Sequence, residues 1–420
     1  MNYIFNPKAV ALIGATEKEN SVGLGLAKNM LNSNVFFVNP NRENVLGIKC
    51  YNKITDIEEK IDLAVVAVPS GIVKSVIDDC VSKKVKGVII ISGGFKEVGN
   101  QKDEENIRDI LRENNIQLIG PNCLGVISEN INASFSYTNP KKGSIAFLSQ
   151  SGAIINSVID KVGFSKIVSY GNEADLELID FLEYLDKDKQ TSAIAIYLEG
   201  IKDGKKFMEV AKKIKKPIVL IKAGRSQIGS IAVGTHTGAL AGNYDVFVSA
   251  MKQVGVIVVD SIEELIDTVK VLAWLPKLKN GIGIITNGGG IGVLAADYCF
   301  RYGIELPQLD KRTLLQLKEM KRVPSKINPL DIIGDALPQR YQIAIDALLS
   351  QKDIGGLIVI SAPQTMTDHK ENAKIVVEMR KKYPLKPIVC CFHEGELEEN
   401  NVPNYSDVLR AVKSIKKLYE

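Results

Sequence analysis

Unbroken runs of Val, Ile, Leu and Ala recur along the chain, separated by stretches in which apolar residues return every three or four positions. Runs without polar alternation fit strands covered on both faces, and helical spacing between them predicts parallel α/β sheets. A first series occupies 10–14, 35–38, 63–68, 88–91 and 117–120, and closes near residue 125. A second occupies 145–148, 166–169, 193–197, 218–221 and 256–259, with helical patterns at 176–185 and from Tyr244 onward. Residues 275–281 read as a linker, and a third series follows at 282–285, 357–360 and 388–392. With 420 residues the chain exceeds what one core supports, so two to three domains are expected.

Ligands of open parallel sheets bind at the carboxyl ends of strands, which directs attention to the turns there. The first strand runs into Gly14-Ala15-Thr16, and the turn reaches a helix through Ser21 and Gly23, whose free amides suit a phosphate. No G-x-G-x-x-G fingerprint occurs in this turn, and the second strand ends in Asn39-Pro40 rather than in an acidic residue. A nucleotide other than NAD therefore fits better. Pro69-Ser70, Ser92-Gly93-Gly94 and Gly120-Pro121-Asn122-Cys123 end further strands on the same edge.

The second series opens with Ser149-Gln150-Ser151-Gly152 directly before an apolar helix, offering either an anion site or simple capping by Ser151. Gly171-Asn172 and Glu199-Gly200 follow at later strand ends. Residues 222–242 contain glycines 224, 229, 234, 238 and 242 and place His236 between Thr235 and Thr237. Such a segment reads as a permissive loop in which a neutral imidazole can accept a phosphoryl group. The alternative is a surface loop without chemistry. Glu199, a carboxylate at a strand terminus, is suited to hold that imidazole in one tautomer; otherwise it is a solvated turn residue.

Composition narrows the classes. With 53 basic and 49 acidic residues the net charge is +4, and the charges are interspersed, which does not suggest a nucleic-acid groove. Arginine is scarce beside lysine, so Arg225 in the histidine segment stands out. The six cysteines are scattered without a C-x-x-C pair or ligand spacing, which indicates a reducing compartment and no resident metal. Neither a leader nor a membrane-length apolar run is seen, and a cytoplasmic protein is expected.

Taken in order, residues 10–16, 120–125, 148–152, 197–200, 222–225 and 236–242 resemble the alpha subunit of the ADP-forming (NDP-forming) acyl-CoA synthetases, relatives of succinyl-CoA synthetase. The resemblance covers essentially the whole chain. It implies a Rossmann-like CoA-binding domain at 1–128, a ligase domain carrying the phosphohistidine loop at 140–275, and a second flavodoxin-like domain at 281–420. It further implies that acyl-CoA, phosphate and ADP or GDP interconvert with acid, CoA and ATP or GTP through an acyl phosphate and a phosphohistidine. His236 matches the phosphoryl acceptor and Glu199 the residue that holds its ring. CoA is expected along Gly14, Ala15, Thr16, Ser21, Gly23, Asn39, Pro69, Ser92, Gly93, Asn122 and Cys123. Phosphate is expected at Gln150, Ser151, Gly152, Gly171 and Asn172.

The nucleotide and its Mg²⁺ belong to an ATP-grasp beta subunit in this family, with an alpha2beta2 assembly. Because 406–420 has amphipathic helical spacing, that beta subunit is expected as a separate chain. A regulatory CoA or acyl-CoA sensor and an NAD-linked redox protein remain as other classes. The glycines of 286–292 fit either another phosphate loop or close packing. His369 and His393 read as surface or strand-end residues, and Cys390 and Cys391 as buried small side chains.

Overall fold

The structure is a computed structural model that describes residues 1–237, 243–320, 325–393 and 397–419, with side chains left undescribed at 235–237. It divides into two compact units, Met1–Ile266 and Asp267–Glu420.

The first unit holds two sheets. From edge to edge the first runs Asn44–Val45, Ile48–Tyr51, Val35–Val38, Val10–Ile13, Leu63–Val66, Gly87–Ile90 and Gln117–Ile119, all parallel except the first pair. Its central strands Val10–Ile13 and Leu63–Val66 are buried along their whole length, as their uninterrupted apolar sequence requires. Helices such as Gln101–Glu113 cover the faces. This helix buries Ile107 and Leu111, with Asp103 and Glu104 in its first turn and Arg112 in its last, which complements the helix dipole. The chain changes direction across the sheet between Val10–Ile13 and Leu63–Val66, and a crevice opens at their carboxyl ends.

The second sheet runs Ile257–Val259, Ile218–Lys222, Ala193–Leu198, Lys142–Ser149, Phe164–Ser169, Gly125–Ser128 and Asn132–Ser134. Its first five strands are parallel, and the last two are antiparallel additions. Those two add an edge that the hydrophobic pattern did not reveal, because they are short and carry Gly, Ser and Asn. The Gly125–Ser128 strand hydrogen-bonds to Phe164–Ser169, so this stretch belongs to the second sheet although the apolar pattern ends the first series beside it. The crevice here lies between Lys142–Ser149 and Ala193–Leu198.

The segment expected as an open glycine loop is helical over Gln227–Thr237. Ser226 starts it by accepting the Gly229 amide at 3.0 Å, and Ser230 donates to the Gly224 carbonyl at 2.7 Å. Two glycines inside it, Gly229 and Gly234, each cost about 1 kcal/mol relative to alanine, so the helix is held weakly.

The second unit has a four-stranded parallel sheet in the order Leu330–Asp331, Gly281–Thr286, Ile354–Ser361 and Ile388–Phe392. Every residue of Ile354–Ser361 is buried. Among the described residues no helix is long and apolar enough to cross a membrane.

Candidate functional site

Two chambers open at the carboxyl edge of the first sheet. The outer one, about 780 Å³, sits at the crevice and is lined by Gly14, Thr16, Asn39 and Pro69. The inner one, about 460 Å³, is lined by Pro69, Ser92, Gly93, Asn122 and Cys123. They share Ala67, Val68 and Pro69 as lining residues and so lie side by side along one edge groove. The inner chamber reaches Gly152, which starts a helix of the second sheet, so the groove runs from one sheet to the other.

Ala15, Ser21 and Gly23 line neither chamber but shape the turn. The Ala15 carbonyl accepts from Asn39 Nδ2 at 2.7 Å, and Ser21 accepts the Leu24 amide at 3.3 Å as helix cap. A Cβ on Gly23 would lie 2.3 Å from the Gly14 carbonyl oxygen, and one on Gly14 would lie 2.2 Å from that of Ala67. These glycines are thus required by the approach of helix, turn and strand. Cys123 donates its thiol to the Ile90 carbonyl at 3.3 Å, and burial pushes it up to about 12, which makes it a wall rather than a nucleophile.

In the second sheet, Gln150 clamps the crevice. Its Oε1 accepts the amides of Glu199 and of Gly200, the latter at 3.0 Å, while Nε2 donates to the Gly200 carbonyl at 3.2 Å. Ser149 Oγ donates to the Ser151 carbonyl at 2.7 Å and accepts the Ser151 amide at 3.0 Å, which fixes the turn before Gly152. Ser151 precedes the helix without a side-chain cap bond, so the capping alternative does not apply. Gly171, at φ +56°, lies so close to the Pro121–Asn122 turn that a Cβ would sit 2.2 Å from the Pro121 carbonyl oxygen. The Asn172 amide donates to Glu97 Oε2 at 2.7 Å and to Glu104 Oε2 at 2.8 Å, so its protons are engaged by carboxylates.

Glu199 is buried, with 8% exposure, and sits between the clamp and a cavity of about 300 Å³ lined by apolar Met208, Phe247 and Met251. Lys222 donates to the Glu199 carbonyl at 2.8 Å, and burial lowers its ammonium from its ordinary value. Burial, with Glu199 alongside, raises the Tyr197 phenol to about 12. Arg225 pairs with Asp260 at 2.8 Å and lies over the Tyr244 ring, fastening the base of the histidine segment. The helix Gln227–Thr237 borders the 300 Å³ cavity through Ser230 and Val233 and packs against the turn Lys96–Val98. The His236 side chain itself lies outside the described residues.

Several contributors have no counterpart in the sequence reading. Glu97 accepts the Gly94 amide at 2.5 Å and the Phe95 amide at 3.2 Å, so its carboxylate fills the turn after Ser92 and is held below its ordinary range by those bonds and by Asn172, against burial. Glu173 is buried and raised to about 7 by desolvation, opposed by Lys202 and the Leu178 amide. The spacing from Gly93-Gly94 to Glu97 was a usable cue for the first, since a carboxylate three residues past a glycine turn can cap it. Glu173 gave none, because its burial comes from tertiary packing.

Residues 8–129 match the CoA binding domain, and 142–272 match the succinyl-CoA ligase like flavodoxin domain. The alpha subunit of acetate–CoA ligase [ADP-forming] II of Pyrococcus furiosus is 37% identical over 434 residues, covering 96% of this chain and 94% of that protein. The chain belongs to the ADP-forming acetate–CoA ligase family. Acetate–CoA ligase [ADP-forming] I of Archaeoglobus fulgidus is 42% identical over 100% of this chain, which spans 63% of that protein's length. The acetyl-coenzyme A synthetase 1 of Ca. Korarchaeum cryptofilum, solved with phosphate and ADP, superposes with a TM-score of 0.90 at 34% identity, covering 100% of this chain and 96% of that one. Within the ADP-forming ligase fold, groove, clamp and histidine helix all fall in residues 1–266. Among the described residues no group of three or more His, Cys, Asp or Glu is arranged to hold a metal ion.

Proposed function

We propose that this chain is the alpha component of an ADP-forming acid–CoA ligase. Acyl-CoA and phosphate give acyl phosphate and free CoA; the phosphoryl group passes to a ring nitrogen of His236 and from there to ADP or GDP. In reverse, ATP phosphorylates His236 and the acid is activated. CoA occupies the two-chambered groove, with Gly14, Thr16 and Asn39 at its outer end and Ser92, Gly93, Asn122 and Cys123 at its inner end. Phosphate meets the thioester near Gly152, where the clamp of Gln150 sets the backbone and Ser151 and Gly171 shape the walls. Asn172 acts here through Glu97 and Glu104 rather than as a direct donor.

The observation that carries this reading is the pair of adjoining chambers leading from the first sheet's crevice to Gly152, with the histidine helix packed on the adjacent Lys96–Val98 turn. A phosphohistidine keeps the transfer potential of an acyl phosphate, and the apolar cavity beside Glu199 limits water around it. Glu199 holds the imidazole and balances the positive ring of the phosphorylated form. The weak glycine-containing helix is suited to unwind and carry the group to a second site. That site belongs to an ATP-grasp beta partner, which holds the nucleotide with Mg²⁺ in an alpha2beta2 assembly in the cytoplasm. The division at 1–128, 140–275 and 281–420 is part of this proposal, with the second sheet taking its antiparallel edge from Gly125 onward.

The test is phosphorylation of the chain by γ-labelled ATP in the presence of its beta partner. An acid-labile, alkali-stable label present in the wild type and absent from His236→Ala is expected. Equal labelling of the variant, or no label on the wild type with a nucleotide-competent partner, would return the chain to the CoA-sensor class.

A further inference from the structure

Resting on the acyl-CoA reading above, we propose that Phe135 sets the size of the acyl group that the inner chamber beside Gly152 admits. Because the chambers join at Ala67, Val68 and Pro69, one extended ligand can thread from the first sheet's crevice into the inner chamber. Ser92, Gly93 and Asn122 give that chamber polar lining, suited to a thioester carbonyl and amide. Val22, Leu124 and Phe135 give it apolar lining.

Among the described residues that line the chamber, none carries a charge. A second carboxylate on the acyl group would lose water there without a cation to replace it, whereas a hydrocarbon chain exchanges water for Leu124 and Phe135.

Phe135 lines the chamber from a fixed position. It follows the Asn132–Ser134 strand, its amide bonds to the Leu124 carbonyl at 3.4 Å, and a Cβ on Gly25 would lie 3.3 Å from its own Cβ. Its backbone is thus held between the Val22–Met30 helix and Leu124, while its side chain faces the chamber. Leu124 is equally fixed, since a Cβ on Gly152 would come within 2.9 Å of it. A wall held by backbone packing on both sides discriminates by size, because it does not yield to a longer chain.

The experiment measures binding of CoA, acetyl-CoA, phenylacetyl-CoA and succinyl-CoA to the purified full chain by calorimetry, for wild type, Phe135→Ala, Phe135→Leu and Val22→Phe. Wild type should favour acetyl-CoA over succinyl-CoA by about tenfold or more, and Phe135→Ala should shift the phenylacetyl-to-acetyl preference by about tenfold toward the larger group. Phe135→Leu should shift it less in the same sense, and Val22→Phe in the opposite one; these two decide the matter if the alanine variant does not fold. Binding of CoA with equal affinity for succinyl-CoA and acetyl-CoA, or with an acyl preference unmoved in every folded variant, would overturn the chamber assignment. Absence of CoA binding by the wild type would instead overturn the acyl-CoA reading, and this proposal with it.

Discussion

At the end of its first parallel strand the second sheet carries Ser149-Gln150-Ser151-Gly152, and the third sheet carries Thr286-Asn287-Gly288-Gly289 at the corresponding place. Thr286 Oγ1 donates to the Gly288 carbonyl and accepts the Gly288 amide, both at 3.0 Å, repeating what Ser149 does to Ser151. Asn287 pairs with both backbone groups of Ala362, at 2.7 and 2.9 Å, as Gln150 does with Gly200. In the second sheet the clamped turn presents Glu199, with the histidine helix nearby; in the third the residue before the clamped Ala362 is Ser361, whose hydroxyl lies 3.1 Å from His369 Nδ1. The helix ends differ as well. A Cβ on Gly289 would lie 2.8 Å from Asp331 Oδ2, so the third sheet places its own carboxylate beside the Gly288 helix start, where a bound anion would otherwise be favoured. Of the glycines of 286–292, Gly289 and Gly292 stand where a Cβ would come within 2.8 and 2.7 Å of a neighbouring side chain, which fits a packing role at those two positions.

Removing the clamp should separate the two sheets most sharply. Gln150→Ala is expected to lower phosphohistidine formation by about a hundredfold or more through misplacement of Glu199, whereas Asn287→Ala should leave it unchanged in the folded fraction. Label incorporation at saturating ATP measures both; equal losses would break the comparison.

The next largest effect is a pH dependence confined to the first unit. Native Glu173 keeps its proton between its ordinary 4.5 and about 7, so stability falls as pH rises through that window and is level above it. The shift corresponds to at most about 3 kcal/mol. Glu173→Gln should flatten the slope of the first unit's unfolding between pH 5 and about 7, and a slope that survives the substitution would remove Glu173 as its source.

Asn287→Ala should destabilise the second unit by about 1–3 kcal/mol, because both backbone groups of Ala362 lose their buried partner. Denaturant unfolding followed in that unit reads this directly. Smallest is Asp331→Asn, expected to cost up to about 1 kcal/mol by removing the charge beside the helix start, with partial recovery in phosphate. No response to phosphate would mean that the side chain, not its charge, closes this end.

Strand positions along the chain and carboxyl-edge motifs were legible because unbroken Val and Ile runs, such as 10–13 and 63–66, alternate with the helices that follow them. Glu199 and Gln150 were both visible as strand-end residues, but not the hydrogen bond from the Glu199 amide to Gln150 across the crevice, since they stand 49 positions apart. The engagement of Asn172 with Glu97, across 75 positions, was hidden for the same reason. The helix over Gln227–Thr237 was obscured by its glycines, which favour a loop on propensity alone while Ser226 and neighbouring packing hold the turn.

The most direct measurement of the central claim uses no nucleotide. Acetyl-CoA and labelled phosphate are added to the chain with a nucleotide-free beta partner, and both free CoA and protein-bound phosphate are followed. The account predicts one equivalent of CoA released per phosphoryl group appearing on His236, whereas His236→Ala, which can still form bound acyl phosphate and free CoA, carries no phosphoryl label on the protein. Release of CoA by the wild type without protein-bound phosphate, or phosphate bound elsewhere on the chain, would contradict it.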